Sequence, residues 1–262
     1  MNMKFKKLIV CITTAALLLS LMGLSAFAAD TVVYVTISDG TLALAAEPDT
    51  VTDVDNDGIL SINDALSAAH EAKFNGGAAA GYASESTEYG LSLTKLWGVE
   101  NGGAYGYMVN NVSAMSLADP IQAGDHITAF VYTDTTGYSD AYCFFDTFSL
   151  SAAAGRSVTL TLTAAGYDES WNPITLPVEG AAILIDGQPT AFKTAADGSV
   201  TITIDTAGDH VISAVSDAQL LVPPVCIATI NESAPQTGNA VALSVLMLTG
   251  AALLICRRRV TG

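Results

Sequence analysis

Two apolar segments, one at each end, most constrain what this 262-residue chain can fold into. The first, residues 8–24, follows three lysines and is followed by the small-residue stretch Ser25-Ala26-Phe27-Ala28. A basic start, an apolar run and a small-residue cleavage site are the three parts of a secretory signal peptide. We therefore expect residues 1–28 to be removed on export, so that the folded chain begins at residue 29.

The second apolar segment, residues 240–256, is uncharged over 17 residues, and three consecutive arginines open the tail, residues 257–262. That length is just sufficient for a transmembrane helix with little tilt. Arginines directly after a span remain in the cytoplasm by the positive-inside rule, so the chain before the span lies outside the cell. The sequence thus predicts an exported region held by a C-terminal membrane helix.

A short linker, residues 232–239, precedes this helix and contains Ala234-Pro235-Gln236-Thr237-Gly238. The pentapeptide, the apolar span and the basic tail together resemble the LPXTG-like sorting signal of Gram-positive surface proteins, with Ala234 in place of the usual leucine. The resemblance implies a sortase that cleaves between Thr237 and Gly238 and links Thr237 to peptidoglycan. The membrane helix then anchors the chain only before sorting. A single-span membrane protein whose linker matches by chance is the alternative.

The exported region is strongly acidic. Four of the ten Lys and Arg residues lie between the two apolar segments, with all 26 Asp and Glu residues, which gives this region a net charge of −22. Such a charge excludes nucleic acid as a partner, because phosphate binding needs clustered cations. It favours divalent cations instead.

A shift in composition divides the exported region into residues 29–150 and residues 151–231. Thirteen of its 17 aromatic residues lie in the first part, between positions 74 and 148. In that part a β-branched run, a return segment and a helical stripe at residues 65–74 precede several further strand patterns. This order predicts an α+β head of the β-grasp type.

The second part consists of short strand patterns separated by turn residues. Residues 157–163 alternate between apolar and hydroxyl side chains, and residues 142–150 before them predict one further strand. Asp197-Gly198 predicts a two-residue hairpin between residues 192–194 and 200–204. Short strands without a helical pattern predict an all-β sandwich.

Two domain resemblances accompany these patterns. The Gly106-Tyr107-Met108-Val109-Asn110 stretch with the later Gly124-Asp125 turn is similar to the transcobalamin C-terminal-like domain of bacterial surface proteins, over about residues 30–148. That resemblance implies a β-grasp fold and makes a cobalamin-type small ligand one alternative. The order of strands and Asp-Gly turns in the second part looks like the transthyretin-like or Ig-like stalk domains of such proteins.

One acidic loop has the spacing of a calcium site. The predicted ligands at loop positions 1, 3, 5, 7, 9 and 12 are Asp53, Asp55, Asp57, Ile59, Ser61 and Asp64. Ca²⁺ takes six to eight oxygen ligands, Ile59 supplies its carbonyl oxygen, and Gly58 at position 6 permits the sharp turn. With aspartate at position 12 the loop resembles a dockerin half-repeat more than an EF-hand. Asp64 as the N-cap of the next helix is a second interpretation, compatible with the first.

Other side chains admit two interpretations each. Trp97, Tyr105 and Tyr107 lie among glycines, so they predict either an exposed ligand platform or aromatic packing in the core. Cys143 and Cys226 remain after export, which permits a disulfide, and two separate buried thiols are the alternative.

No catalytic motif accompanies these features, and the three histidines are widely separated. We therefore expect a non-enzymatic, calcium-stabilised surface protein of the cell wall that binds an unidentified extracellular ligand or a host surface. A wall spacer without a ligand and a cobalamin-type binder are the alternatives. An exposed aromatic cluster would favour binding over a spacer.

Overall fold

A computed structural model describes residues 31–232 of the chain. The expected signal peptide, the sorting motif, the membrane span and the basic tail lie outside the described residues. Among the residues that are described, no helix is long and apolar enough to cross a membrane. These residues form two compact units, one of residues 31–142 with 219–223 and one of residues 143–218 with 224–232.

The first unit is a mixed sheet with one principal helix. Its strands are β1 (Thr31–Ser38), β2 (Leu42–Val51), β3 (Ala83–Thr87), β4 (Gly90–Lys95), β5 (Tyr105–Val109), β6 (Val112–Ser113) and β7 (His126–Val131). Its helices are α1 (Ile62–Lys73) and the short α2 (Gly77–Gly81). The main sheet has the order β2-β1-β7-β5-β6, and β3 pairs with β4 in a separate hairpin. Strands β1 and β7 are parallel, and the other pairs are antiparallel.

The core of this unit lies between the sheet and α1. Alternate residues of β1 and β7 point to the same side because successive side chains of a strand face opposite ways. The fully buried members are Val33, Val35, Ile37, Ile62, Ala65, Leu66, Ala69, Leu96, Leu117, Ile127 and Ala129. Helix α1 begins three residues before the predicted helical stripe, and it directly follows the acidic loop.

The second unit consists of strands in two sheets. Its strands are β8 (Ala141–Phe145), inside which the unit boundary falls, β9 (Ser149–Ala153), β10 (Ser157–Tyr167), β11 (Pro173–Pro177), β12 (Ala182–Ile185), β13 (Gln188–Lys193), β14 (Ser199–Thr203), β15 (Gly208–Val215) and β17 (Cys226–Asn231). One sheet has the order β13-β12-β15-β17-β9. The other has the order β11-β10-β8-β16, where β16 is Leu221–Val222, and β14 also pairs with β10. The structure is thus mostly β-sheet and sandwich-like, with few helices.

Two strand predictions in the second unit are wrong. Residues 142–150 form two strands, β8 and β9, because β8 pairs with β10 whereas β9 pairs in parallel with β17 in the other sheet. This pairing of β9 also places it fully inside the second unit, whose boundary lies at residue 143 instead of 151.

The predicted Asp197-Gly198 hairpin is the other correction. The turn exists, with the Ala195 amide donating to the Ser199 carbonyl, but β13 pairs with β12 and β14 pairs with β10. Thr194 explains why β13 does not continue into a hairpin. Its backbone and hydroxyl bind residues 180 and 181, which keeps β13 in its own sheet while the chain crosses to the other.

Candidate functional site

The acidic loop between β2 and α1 brings three of the six predicted calcium ligands together. Ligating oxygens of Asp53, Asp55 and Asp57 all lie within 4.8 Å of one another. Asp55 and Asp57 are exposed and Asp53 is partly exposed, so a cation can reach them from solvent. Alternate acids on a curved chain give the oxygen-rich surroundings that Ca²⁺ prefers.

Backbone amides organise this loop. The Asp53 carboxylate accepts hydrogen bonds from the Asp57 amide at 3.2 Å and the Gly58 amide at 2.9 Å. The Gly58 bond is the main reason that the pKa of Asp53 lies below its usual value. Gly58 has φ of +88° with open space around its Cα, so the position requires glycine for its backbone conformation. The pKa of Asp55 is raised, mainly by partial desolvation and also by the nearby carboxylates.

Ser61 and Asp64 have a different role, because they start the helix. Ser61 is the N-cap of α1, and Asp64 at the third helical position completes a capping box. Asp64 Oδ2 accepts from the Ser61 amide at 2.9 Å and from the Ser61 hydroxyl at 2.7 Å. The interpretation of Asp64 as the N-cap is therefore wrong by three residues.

The same aspartate also fastens the start of the acidic loop. Its Oδ1 accepts from the Val54 amide at 2.9 Å, so Asp64 joins the two ends of the loop from a fully buried position. Oδ1 keeps one lone pair, whereas Oδ2 already has two donors. Asp64 can thus offer a cation at most one further bond. The Ile59 side chain is 49% exposed, and its amide donates to Asp57 Oδ1 at 2.7 Å.

The proposed aromatic platform is packed against the core. Trp97 contacts His70 and Phe74, with ring centroids 5.1 Å away in each case. The Tyr105 hydroxyl bonds the carbonyls of Thr94 and Val99 at 2.8 and 2.9 Å. Tyr107 likewise packs on the core, where burial raises its pKa. The three rings are partly buried, so this geometry favours the core-packing interpretation over a platform.

His70 is a structural histidine at the centre of this packing. It is fully buried, and its Nδ1 lies 2.6 Å from the Leu66 carbonyl while the Trp97 amide lies 3.0 Å from Nε2. Because a carbonyl only accepts and an amide only donates, the ring is the neutral tautomer with the proton on Nδ1. Burial lowers its pKa accordingly.

Cys143 and Cys226 are buried thiols that no disulfide joins. Both belong to the second unit, so they do not link the two units. Burial raises the pKa of each thiol, that of Cys226 to about 12, which keeps them protonated and unreactive at neutral pH. The arrangement corresponds to the second of the two interpretations of these residues.

Comparisons with known proteins give no family. No protein-family model matches the chain, and no curated protein matches it. One similar solved structure is the mixed-linkage glucan utilization locus protein SGBP-B of Bacteroides ovatus bound to a heptasaccharide, at 14% identity and a TM-score of 0.24, covering 54% of this chain and 32% of that one. Another is the four N-terminal Ig domains of Dscam1 isoform 4.44, at 12% identity and a TM-score of 0.23, covering 52% and 34%.

The chain thus spans about a third of the length of these two solved structures. Similarity at such TM-scores is too low to carry any conclusion on shared function. The functional argument therefore depends on the chain's own residues.

Proposed function

We propose that this chain is an exported, cell-wall-anchored protein that displays a calcium-stabilised binding or adhesion module and catalyses no reaction. The export signal, the Pro-x-Thr-Gly motif, the apolar span and the basic tail occur in the order that a sortase substrate requires. Peptidoglycan is then the covalent partner, and the described residues form the part that faces the surroundings of the cell.

The strand order of the first unit supports a β-grasp head within this proposal. Its sheet begins with a β1–β2 hairpin, continues through α1, and ends with β7 inserted beside β1. The resulting order has β1 and β7 as parallel central neighbours, as expected for a β-grasp sheet.

The observation that carries the calcium proposal is the convergence of Asp53, Asp55 and Asp57. Their oxygens, the Ile59 carbonyl and the remaining lone pair of Asp64 Oδ1 would supply five ligands, and water would complete the sphere. Because Asp64 has only one bond to offer, we expect weak binding in the range of extracellular calcium modules, about 10⁻⁴–10⁻³ M. Such a site is filled outside cells and empty in the cytoplasm.

Calcium should raise the melting temperature of the first unit. Three mutually repelling carboxylates at the start of α1 cost free energy that a bound cation removes, and a ligand at 100 times its Kd stabilises by about 2.7 kcal/mol. The chain has two tryptophans, so a Trp171→Phe background leaves Trp97, which packs on α1, as the sole fluorescent reporter. Melting of the full chain in neutral detergent is compared in excess CaCl₂ and in EDTA.

The matched variants are Asp55→Asn and Asp119→Asn. Asp55 belongs to the carboxylate group, whereas Asp119 lies outside it and binds the amides of residues 115 and 116. Asp55→Asn should abolish the calcium effect and Asp119→Asn should retain it. Equal melting temperatures in CaCl₂ and in EDTA for the unmodified loop would refute the calcium site.

Sorting is tested separately by mass spectrometry of protein released from purified cell walls by a muramidase. We expect the C-terminal peptide to end at Thr237 and to carry a wall-peptide adduct, because sortase cleavage removes residues 238–262. A Thr237→Ala variant should stay in the membrane fraction, and Thr229→Ala serves as a control outside the motif. Recovery of the unmodified chain from membranes with Arg257–Arg259 intact would contradict wall anchoring.

A further inference from the structure

The hairpin of β10 and β11 presents two large aromatic side chains to solvent. Tyr167, the last residue of β10, is 61% exposed, and Trp171 in the connecting loop is 80% exposed. Their ring centroids lie 6.1 Å apart, and the ring planes are tilted by 47°. Single exposed aromatics are common, but two adjacent rings form an apolar corner that water solvates poorly.

This corner is held in a defined conformation. Asp168 accepts from the amides of Ser170 and Asn172 at 2.8 Å each, and from the Asn172 side-chain amide at 2.9 Å. Trp171 has φ of +64°, a left-handed conformation that a bulky residue rarely adopts. Strain of this kind persists where the surroundings hold a residue in place, and it is concentrated at ligand-binding positions. The loop therefore fixes an exposed ring that neither sheet of the unit covers.

The charge around the corner has one sign. Residues 157–192 contain Asp168, Glu169, Glu179 and Asp186 and no Lys or Arg. Asp168 and Glu169 are exposed and adjoin the two rings in sequence. An anionic lipid surface or an anionic polysaccharide would be repelled here, whereas a cation gains from the carboxylates and from the negative faces of both rings.

We propose that Tyr167 and Trp171, with the carboxylates beside them, form a docking site for Lys or Arg side chains of an extracellular protein partner. A cation attracted by an aromatic ring lies within about 6 Å of its centroid. Two rings 6.1 Å apart and inclined to each other let one cation approach both faces at once. A flat sugar ring would favour coplanar rings, so the tilt and the charge both favour the cation.

The probe for this site is a soluble octapeptide of alternating Lys and Gly, with a Glu/Gly octapeptide as its charge-reversed counterpart. In titrations of the full chain in neutral detergent, the Lys peptide should shift the indole N–H resonance of Trp171, and the Glu peptide should not. Raising the salt concentration from 0.05 to 0.5 M should weaken the interaction by about 10-fold, because exposed charges are screened. A free quaternary ammonium ion is tested in parallel with tetramethylammonium chloride.

Variants separate this site from general attraction to an acidic protein. Trp171→Ala should weaken the Lys peptide by about 5- to 30-fold, the range expected for a lost cation–π contact. Tyr89→Ala is the matched control, because Tyr89 is also 80% exposed and lies in the other unit. Glu169→Gln should weaken the peptide less than Trp171→Ala, because it removes a screened charge but no ring.

Three outcomes would overturn the inference. They are equal peptide affinity in Trp171→Ala and the unmodified chain, binding of a neutral glucan oligosaccharide that salt does not weaken, and binding of tetramethylammonium without the peptide. The inference rests on the proposed function only in that the partner is extracellular. Its failure is distinguishable, because the calcium test measures Trp97 in the first unit and does not involve residues 167–172.

Discussion

Replacing Asp64 by alanine should lower the free energy of unfolding of the first unit by about 3–5 kcal/mol, even without calcium. The side chain is fully buried and accepts three hydrogen bonds, from the Val54 amide, the Ser61 amide and the Ser61 hydroxyl. Its loss leaves buried donors without partners and removes half of the capping box of α1. Bonds to a charged acceptor are the stronger kind, so the cost exceeds that of an ordinary cap.

The measurement is urea unfolding in EDTA, followed by Trp97 fluorescence in the Trp171→Phe background. Asp57→Asn is the matched control, because Asp57 is exposed and stands in the same loop. In EDTA this control should leave stability unchanged or raise it slightly, since one repelling carboxylate is removed. In CaCl₂ it should lose the calcium effect, whereas Asp64→Ala should be unstable under both conditions.

An Asp64→Ala variant that is as stable as the unmodified chain in EDTA and loses stability only relative to the calcium-bound form would contradict this assignment. Asp64 would then act mainly as a calcium ligand. The comparison thus separates the two roles that the sequence allowed for one residue.

Asp64 also shows how far the sequence could be interpreted. Its spacing from Asp53 predicted a ligand loop followed by a helix, and the loop and the helix both lie where the pattern placed them. The pattern could not distinguish a carboxylate that faces a cation from one that faces backbone amides. Both roles require a short acid at the helix start, and only the fold decides which donors surround it.

Strand pairing was the least predictable part of the fold. Alternating apolar residues identified β1, β7 and β10, because a half-buried strand shows its period locally. The partner of a strand is a property of distant chain segments. Asp197-Gly198 has the composition of a hairpin turn, yet the bonds of Thr194 to residues 180 and 181 send its two flanking strands to different sheets.

The aromatic residues show the same limit at the site. Trp97 and Tyr105 lie among glycines, as ligand-binding rings often do, but their partners are a buried histidine and backbone carbonyls. Tyr167 and Trp171 received no attention in the sequence because the second unit is otherwise poor in aromatics. Their scarcity there was the available signal, since a β-sandwich rich in small residues does not need such rings for its core.

Replacing Gly106 by alanine should destabilise the first unit by about 3 kcal/mol, although the change adds a single methyl group. Gly106 in β5 lies opposite Phe130 of β7, and a Cβ atom there would stand 2.1 Å from Phe130 Cζ. The ring cannot withdraw, because Phe130 is fully buried and packs on Tyr132 and Tyr142 at centroid distances of 5.1 and 5.8 Å. The strands must therefore separate locally. The measurement is urea unfolding followed by circular dichroism and by Trp97 fluorescence.

A double-mutant cycle tests whether the Phe130 ring is the cause. Phe130→Ala alone should cost about 3–5 kcal/mol, because it leaves a cavity. In the Gly106→Ala/Phe130→Ala double variant the added methyl group meets no ring, so the combined loss should fall about 2 kcal/mol short of the sum. Gly166→Ala is the matched control, since its Cβ would come no closer than 3.3 Å to the Leu176 side chain and its strand stays unstrained. Additive losses would show that Gly106 is required for its backbone alone, and the close approach of the ring would then not explain the glycine.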